Sequence, residues 1–156
     1  MTPLAYAGTA LIDASLVIAL YDEDDEYYPV AREFFERHSS VLTWCALRVT
    51  GWEVFTRLRY SVGWDAAVRG YEFVRQDRIA QLDATPEDES NAWAKLHKYR
   101  EHKLSFIDAL CSTVALRHGV YRVATLDADF EIMGHEVLPP GTTKRERRRQ
   151  RRRGDQ

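Results

Sequence analysis

Thr9-Ala10-Leu11-Ile12-Asp13-Ala14-Ser15-Leu16-Val17-Ile18-Ala19-Leu20 is the stretch that decides how this chain folds. Its first four residues form an apolar run of the length of a buried strand, and Ala14 to Leu20 read as a short, mostly buried helix. One acid, Asp13, stands at the junction. A strand that runs directly into a helix is the opening unit of a right-handed α/β fold with a parallel sheet. In such folds ligands gather outside the carboxyl ends of the strands, which is where Asp13 falls.

The pattern recurs outward from this stretch. Tyr121-Arg122-Val123-Ala124-Thr125-Leu126 reads as a second buried strand and delivers Asp127 at its end. Val41-Leu42-Thr43-Trp44, Ile79-Ala80-Gln81-Leu82 and His135-Glu136-Val137-Leu138 supply three shorter strands. Helices alternate with them. Pro29 suits the first turn of a helix carrying Val30, Phe34 and Phe35. Leu47, Gly51, Val54, Phe55 and Leu58 mark one face of a helix from Cys45 to Tyr60, with Glu53 off that stripe. A helix through Val68, Tyr71, Phe73 and Val74 follows Gly63 and Trp64. Pro86-Glu87-Asp88-Glu89 opens another, with acids at the positive end of its dipole. Ser105 to His118 forms a third, stopped by Gly119 as a C-terminal cap, and Asp129 to Met133 form a helical turn.

At 156 residues the chain fits one domain with a sizeable core. Its 45% hydrophobic and 29% charged content belongs to a soluble globular protein, and no apolar run approaches the ~20 residues needed to span a bilayer. The start, Met1-Thr2-Pro3-Leu4-Ala5-Tyr6, lacks the basic and apolar regions of a secretory signal, so a cytoplasmic location and no membrane partner are expected. Cys45 and Cys111 stand far apart and read as reduced core residues. The formal net charge of −2 hides an asymmetry. Residues 144–156 carry Lys144 and seven arginines against Glu146 and Asp155, a net +6, while the rest has 14 basic and 22 acidic residues, a net −8. We read residues 1–141 as the domain and 142–156 as an arginine-rich, disordered tail. A body so negative attracts RNA phosphate only with help from metal ions or that tail.

Four acids, Asp13, Glu53, Asp108 and Asp127, fall where strands and helices bring chain ends toward one point. Each has an ordinary reading too. Asp13 suits an N-cap, Glu53 an i,i+4 bridge to Arg57, and Ser105-Phe106-Ile107-Asp108 a capping box. Asp127 and Asp129 suit turn chemistry. Their weight is joint: carboxylates gathered at one sheet edge repel one another unless cations occupy the site. Hard oxygen ligands select Mg²⁺ or Mn²⁺, and those ions suggest phosphoryl chemistry on a nucleic acid.

Leu11-Ile12-Asp13-Ala14-Ser15, Trp52-Glu53-Val54, Ser105-Phe106-Ile107-Asp108-Ala109 and Ala124-Thr125-Leu126-Asp127-Ala128-Asp129-Phe130 together resemble a PIN domain, especially the small VapC-type ribonuclease toxins. The resemblance covers about residues 9–139. It implies a three-layer α/β/α sandwich with a central parallel sheet, here of four to five strands. It also implies Mg²⁺- or Mn²⁺-dependent hydrolysis of RNA phosphodiester bonds as the toxin of a toxin–antitoxin pair. Motif for motif, Asp13, Glu53, Asp108 and Asp127 become the catalytic metal ligands, Asp129 a further candidate, and Ser15 and Thr125 their hydrogen-bonding neighbours. A cognate antitoxin covering the acidic pocket and a homodimer are the implied partners. The arginine-rich extension departs from the compact pattern.

Other chemistries fit less well. His38, His97, His102, His118 and His135 show no zinc spacing and read as surface or helix-end residues. No Walker loop or nucleophile elbow is present. Asp13-Ala14-Ser15 lacks the second aspartate of an aspartyl-phosphate phosphatase. Trp44, Trp52, Trp64 and Trp93 read as core or interface aromatics. Arg147, Arg148, Arg149, Arg151, Arg152 and Arg153 form an electrostatic arm for RNA or an inert appendage, and a non-catalytic module that binds RNA or protein is the alternative to the enzyme.

Overall fold

The computed structural model describes residues 8–154, with the side chains of Arg145, Arg147, Arg148 and Arg149 outside that description. Met1–Ala7, on which part of the expectation about location rests, lies outside it as well. Strand β1 (Thr9–Ile12) is wholly buried and passes through Asp13 into α1 (Ala14–Leu20). Then come α2 (Tyr28–His38), β2 (Thr43–Leu47), α3 (Arg48–Ser61), α4 (Trp64–Val74) and β3 (Ile79–Leu82). The second half holds α5 (Pro86–Lys98), α6 (Phe106–Arg117), β4 (Arg122–Ala124), α7 (Asp129–Ile132), β5 (Glu136–Leu138) and α8 (Lys144–Gly154).

Among the described residues, five parallel strands form one sheet in the order β3-β2-β1-β4-β5. The chain fills one side of β1 first and then returns to its other side, so the connections leaving β1 and β4 diverge to opposite faces. That switch opens a crevice at the carboxyl ends of these two strands. Strand alternation builds the two cores. Ala10, Ile12, Trp44, Ala46 and Ala124 face α1–α4, while Leu11, Cys45, Leu47, Val123 and Val137 face α6 and α7. A three-layer α/β/α sandwich results. α5 lies against α6.

Local chemistry sets the element ends. Thr85 and Asp88 form a reciprocal capping box at the start of α5. The end of α6 is a Schellman motif, with Val120 N–H donating to Ala115 O and Gly119 N–H to Leu116 O, and Gly119 takes φ +71° to make it. Gly70 lets α3 and α4 touch: a Cβ there would lie 2.5 Å from Leu58 Cδ1 and 2.9 Å from Val54 Cγ1.

The sequence reading misplaced some boundaries. β2 starts at Thr43 and runs to Leu47, and Val41 is 72% exposed. An inner strand buried on both faces has a continuous apolar sequence, which merges with the apolar stripe of the helix after it. β4 ends at Ala124, before Thr125 and Leu126. Cys45 and Cys111 are buried free thiols, and Trp44 is core, while Trp52, Trp64 and Trp93 are exposed. His135 is a correction, since it is buried rather than superficial.

The tail differs too. Where sequence composition favours disorder, Lys144–Gly154 is helical. Thr143 and Glu146 explain its start: Glu146 Oε2 accepts from the Thr143 amide and hydroxyl, and Thr143 Oγ1 from the Glu146 amide. This is a capping box ahead of arginines, which are good helix formers. Among the described residues, no helix is long and apolar enough to cross a membrane.

Candidate active site

Asp13 is the innermost of the acids singled out for the site. It caps α1 and is 5% exposed. Its Oδ2 accepts from Ser15 Oγ at 2.7 Å and Thr125 Oγ1 at 2.7 Å, with the Ser15 amide at 3.4 Å. The two hydroxyls also accept, Ser15 Oγ from the Leu126 amide at 3.0 Å and Thr125 Oγ1 from the Asp127 amide at 2.9 Å. Each hydroxyl spends its one proton on Asp13, so the carboxylate ties the ends of β1 and β4 together across the crevice. Thr125 makes this latch while its amide still donates to Leu138 O of β5 at 3.0 Å.

Asp127 follows in the β4–α7 connection and Asp129 opens α7, and Asp127 Oδ1 accepts the Asp129 amide at 2.9 Å. Asp108 comes from the first turn of α6, whose N-cap Ser105 accepts the Asp108 amide at 3.0 Å. Cap and carboxylate therefore coexist: the amide completes the cap and the side chain is left to the crevice. One carboxylate oxygen each from Asp108, Asp127 and Asp129 lie within 4.8 Å of one another, close enough to share one metal ion.

The electrostatics link Asp13 and Glu53 to this trio. Burial pushes the Asp108 carboxyl up to about 7, and Asp13, Asp127 and Glu53 push it the same way, while the Ser105 hydrogen bond opposes them. Burial likewise raises Asp13, against the pull of the Ser15 and Thr125 hydroxyls. Glu53 is raised by burial and by Asp13 and lowered by Arg57, whose Nη1 lies 3.9 Å from Glu53 Oε1. Beneath the cluster, Cys111 is buried and its thiol is pushed well up by desolvation and then by Asp13. A set of oxygen donors that raise one another's proton affinity fits a hard divalent cation.

The structure thus brings together Asp108, Asp127 and Asp129 at metal-sharing distance and places Asp13 and Glu53 in the same field. Asp129 joins the compact trio while Glu53 keeps the Arg57 contact. An open pocket of about 650 Å³ runs from Asp127 and Asp129 along Ser15, Ile18 and Leu126 to Asp25, Arg57, Lys144 and Arg152. Sequence reasoning did not find Asp25, Arg57 or Lys144 for this pocket. Asp25 is one of five acids in a loop and carries no distinguishing signal, and Arg57 was legible only as the partner of Glu53. Of the arginines considered for RNA, Arg152 lines the pocket and Arg151 donates to Glu26 at 2.7 Å. Arg153 is exposed, and the side chains of Arg147, Arg148 and Arg149 lie outside the described residues.

A model of the PIN domain family matches residues 10–136, and the chain belongs to that family. No curated protein matches it in sequence. Solved structures similar in fold include Mycobacterium tuberculosis VapC20, described as a sarcin-ricin loop cleaving toxin. It is 23% identical with a TM-score of 0.74, over 81% of this chain and 96% of that one. VapBC2 of Rickettsia felis, bound to a promoter DNA fragment, is 10% identical with a TM-score of 0.60, over 83% and 96%. VapBC-1 of nontypeable Haemophilus influenzae is 16% identical with a TM-score of 0.59, also over 83% and 96%.

Proposed function

We propose that this PIN-domain protein is a divalent-metal-dependent endoribonuclease and the toxin of a type II toxin–antitoxin pair, working in the cytoplasm. The observation that carries this reading is the convergence of Asp108, Asp127 and Asp129 oxygens within 4.8 Å at the sheet's switch point, with Asp13 latched beside them. Neighbours in fold include a toxin described as cleaving the sarcin-ricin loop and toxin–antitoxin complexes, which supports the class of substrate and an antitoxin partner. A homodimer is part of the same reading.

Asp108, Asp127 and Asp129 would hold Mg²⁺ or Mn²⁺, with Asp13 and Glu53 contributing charge from behind and beside. Bound there, such an ion supplies Lewis-acid activation of water and neutralises charge on the phosphoryl oxygens. The chain's own residues set the geometry. Ser15 and Thr125 keep Asp13 oriented and favour its ionised form. Ser105 fixes the start of α6 and so the direction in which Asp108 projects. Without a cation, Asp108 is half-protonated near neutrality, because its carboxyl sits at about 7. No side-chain nucleophile is required, and the buried Cys111 thiol is unsuited to be one.

The test compares wild type with Asp108→Asn on structured RNAs in Mg²⁺, Mn²⁺ or EDTA, with circular dichroism to verify folding. Cleavage by wild type that needs metal and disappears in the variant is the expected result. Equal cleavage by both proteins overturns the acidic site. RNA binding with no cleavage by either would instead establish a non-catalytic binding module.

A further inference from the structure

The pocket carries both acids and cations, and its lining comes partly from the segment matched by the family model and partly from beyond it. Asp25, Asp127 and Asp129 supply its acids, while Arg57 of α3 and Lys144 and Arg152 of α8 supply its cations. α8 lies beyond residues 10–136. We propose that Lys144 and Arg152, with Arg57, form a phosphate subsite that grips the nucleic-acid backbone next to the acids, a proposal that rests on the nuclease reading.

The cationic side is built rather than incidental. The Lys144 amide donates to Leu126 O at 3.0 Å, pinning the start of α8 one residue before Asp127. The Thr143–Glu146 capping box fixes the helix direction from that point. Lys144 Nζ lies 5.5 Å from the centre of the Tyr27 ring, a cation–π contact that holds the ammonium at the pocket. Near the end of α8, Arg151 bridges to Glu26 at 2.7 Å and its neighbour Arg152 lines the pocket. Both Lys144 and Arg152 are exposed to solvent, so an incoming anion reaches them.

Charge explains why such a subsite matters here. Outside the tail the chain carries a net −8, and its densest carboxylate cluster lies where a scissile phosphate must come. A polyanion approaches that point only if fixed cations stand beside it. Arginine offers a forked, permanently charged donor set matched to phosphate oxygens, and lysine a compact charge. At about 650 Å³ the pocket is within the usual range for a small-molecule-sized segment of substrate.

Binding is measured in the cleavage-inactive Asp108→Asn background, in EDTA, with a labelled single-stranded RNA across a salt series. Lys144→Ala/Arg152→Ala is compared with Arg153→Ala, a charge control outside the pocket lining, and circular dichroism checks that α8 persists. The double variant is expected to weaken binding at least tenfold at 0.1 M salt. It should also flatten the slope of log affinity against log salt by about 1.4, from two lost phosphate contacts. The control should move the slope by less than half as much. Equal losses from Arg153→Ala, scaled per charge, would mean a diffuse basic arm and no subsite. Unchanged binding overturns the proposal outright. Tighter RNA binding overturns it too, and would identify α8 as a shield over the acids. Wild-type cleavage in Mn²⁺ is scored separately. Loss of RNA binding in the double variant with no wild-type cleavage would sink the nuclease reading and leave the subsite standing.

Discussion

Acid should weaken this fold through one buried imidazole. His135 is 5% exposed, and its Nδ1–H donates to Tyr121 O at 3.2 Å while Nε2 accepts from Ser112 Oγ at 2.7 Å. Ser112 in turn accepts from Lys95 Nζ at 2.9 Å, so every proton in the chain is assigned with the ring neutral. Charging the ring would set a second donor against the Ser112 hydroxyl, near an ammonium. Burial, with Lys95 adding to it, lowers His135 from 6.5 to about 4, against the Tyr121 hydrogen bond. In acid the unfolded chain binds this proton first. Stability is therefore whole above 6.5, falls as pH drops through the window down to about 4, and is flat below it with respect to this group. At 1.36 kcal/mol per pH unit the whole window is worth roughly 3 kcal/mol, of which about 2 kcal/mol is lost between pH 7.5 and 5. Asp108 has the opposite slope, because a carboxyl raised to about 7 takes up its proton in the fold first. The wild-type curve alone mixes the two. Urea unfolding of wild type and His135→Gln in EDTA, at pH 7.5 and pH 5, separates them. Gln can replace both hydrogen bonds without titrating, and Asp108 cancels in the difference. The wild-type midpoint should fall relative to the variant by about 1 M urea, taking an m-value of about 2 kcal/mol/M. Parallel pH dependence of the two midpoints refutes the neutral buried ring.

Divalent metal should raise the melting temperature of wild type and not of Asp108→Asn or Asp127→Asn, by the equivalent of about 1.4 kcal/mol at ten times the dissociation constant; thermal unfolding with and without Mn²⁺ reads it. Gly70→Ala should destabilise by about 1–3 kcal/mol in urea unfolding, because Leu58 and Val54 must move apart to admit a methyl group. Ser112→Ala should cost about 1–3 kcal/mol in the same assay, by stripping Lys95 and His135 of their shared partner.

What the amino-acid order disclosed depended on whether the signal was local. Thr9–Ile12 followed by Asp13 and the α1 run is local, and it located the sheet's centre and one wall of the crevice. Gly119 and Pro86 marked helix ends for the same reason. β2 was displaced because Cys45, Ala46 and Leu47 are apolar on both faces, and strand and helix cannot be told apart in a run without alternation. The Lys95–Ser112–His135 chain draws on α5, α6 and the approach to β5, so no spacing announces it. Asp129 and Glu53 illustrate the same limit within the site. Which acid completes the close trio depends on the turn that Asp127 makes with the Asp129 amide and on Arg57 holding Glu53, and neither is visible in composition. The helical form of the tail was signalled locally by Thr143-x-x-Glu146, but seven arginines hid it.

The acids of this site oppose the fold that holds them, and their partners show how that opposition is contained. Asp13, Glu53 and Asp108 all have their proton affinity raised by burial and then by neighbouring carboxylates: Asp127 at Asp13, Asp13 at Glu53, and Asp13, Asp127 and Glu53 at Asp108. Each also has local groups pulling the other way: the Ser15 and Thr125 hydroxyls at Asp13, Arg57 at Glu53, and the Ser105 side chain at Asp108. These groups do not abolish the repulsion. They orient each carboxylate while leaving the cluster short of positive charge, so a cation that binds relieves a strain already present and gains affinity from it. The same logic sets the limit on the cations the chain itself supplies. A guanidinium seated within the Asp108–Asp127–Asp129 trio would satisfy it and close the site, whereas Arg57 stands at the outlying Glu53, Arg151 is held by Glu26 and Lys144 by the Tyr27 ring. Keeping fixed cations off that trio leaves one part of the crevice fit for a metal ion and the other for a phosphate.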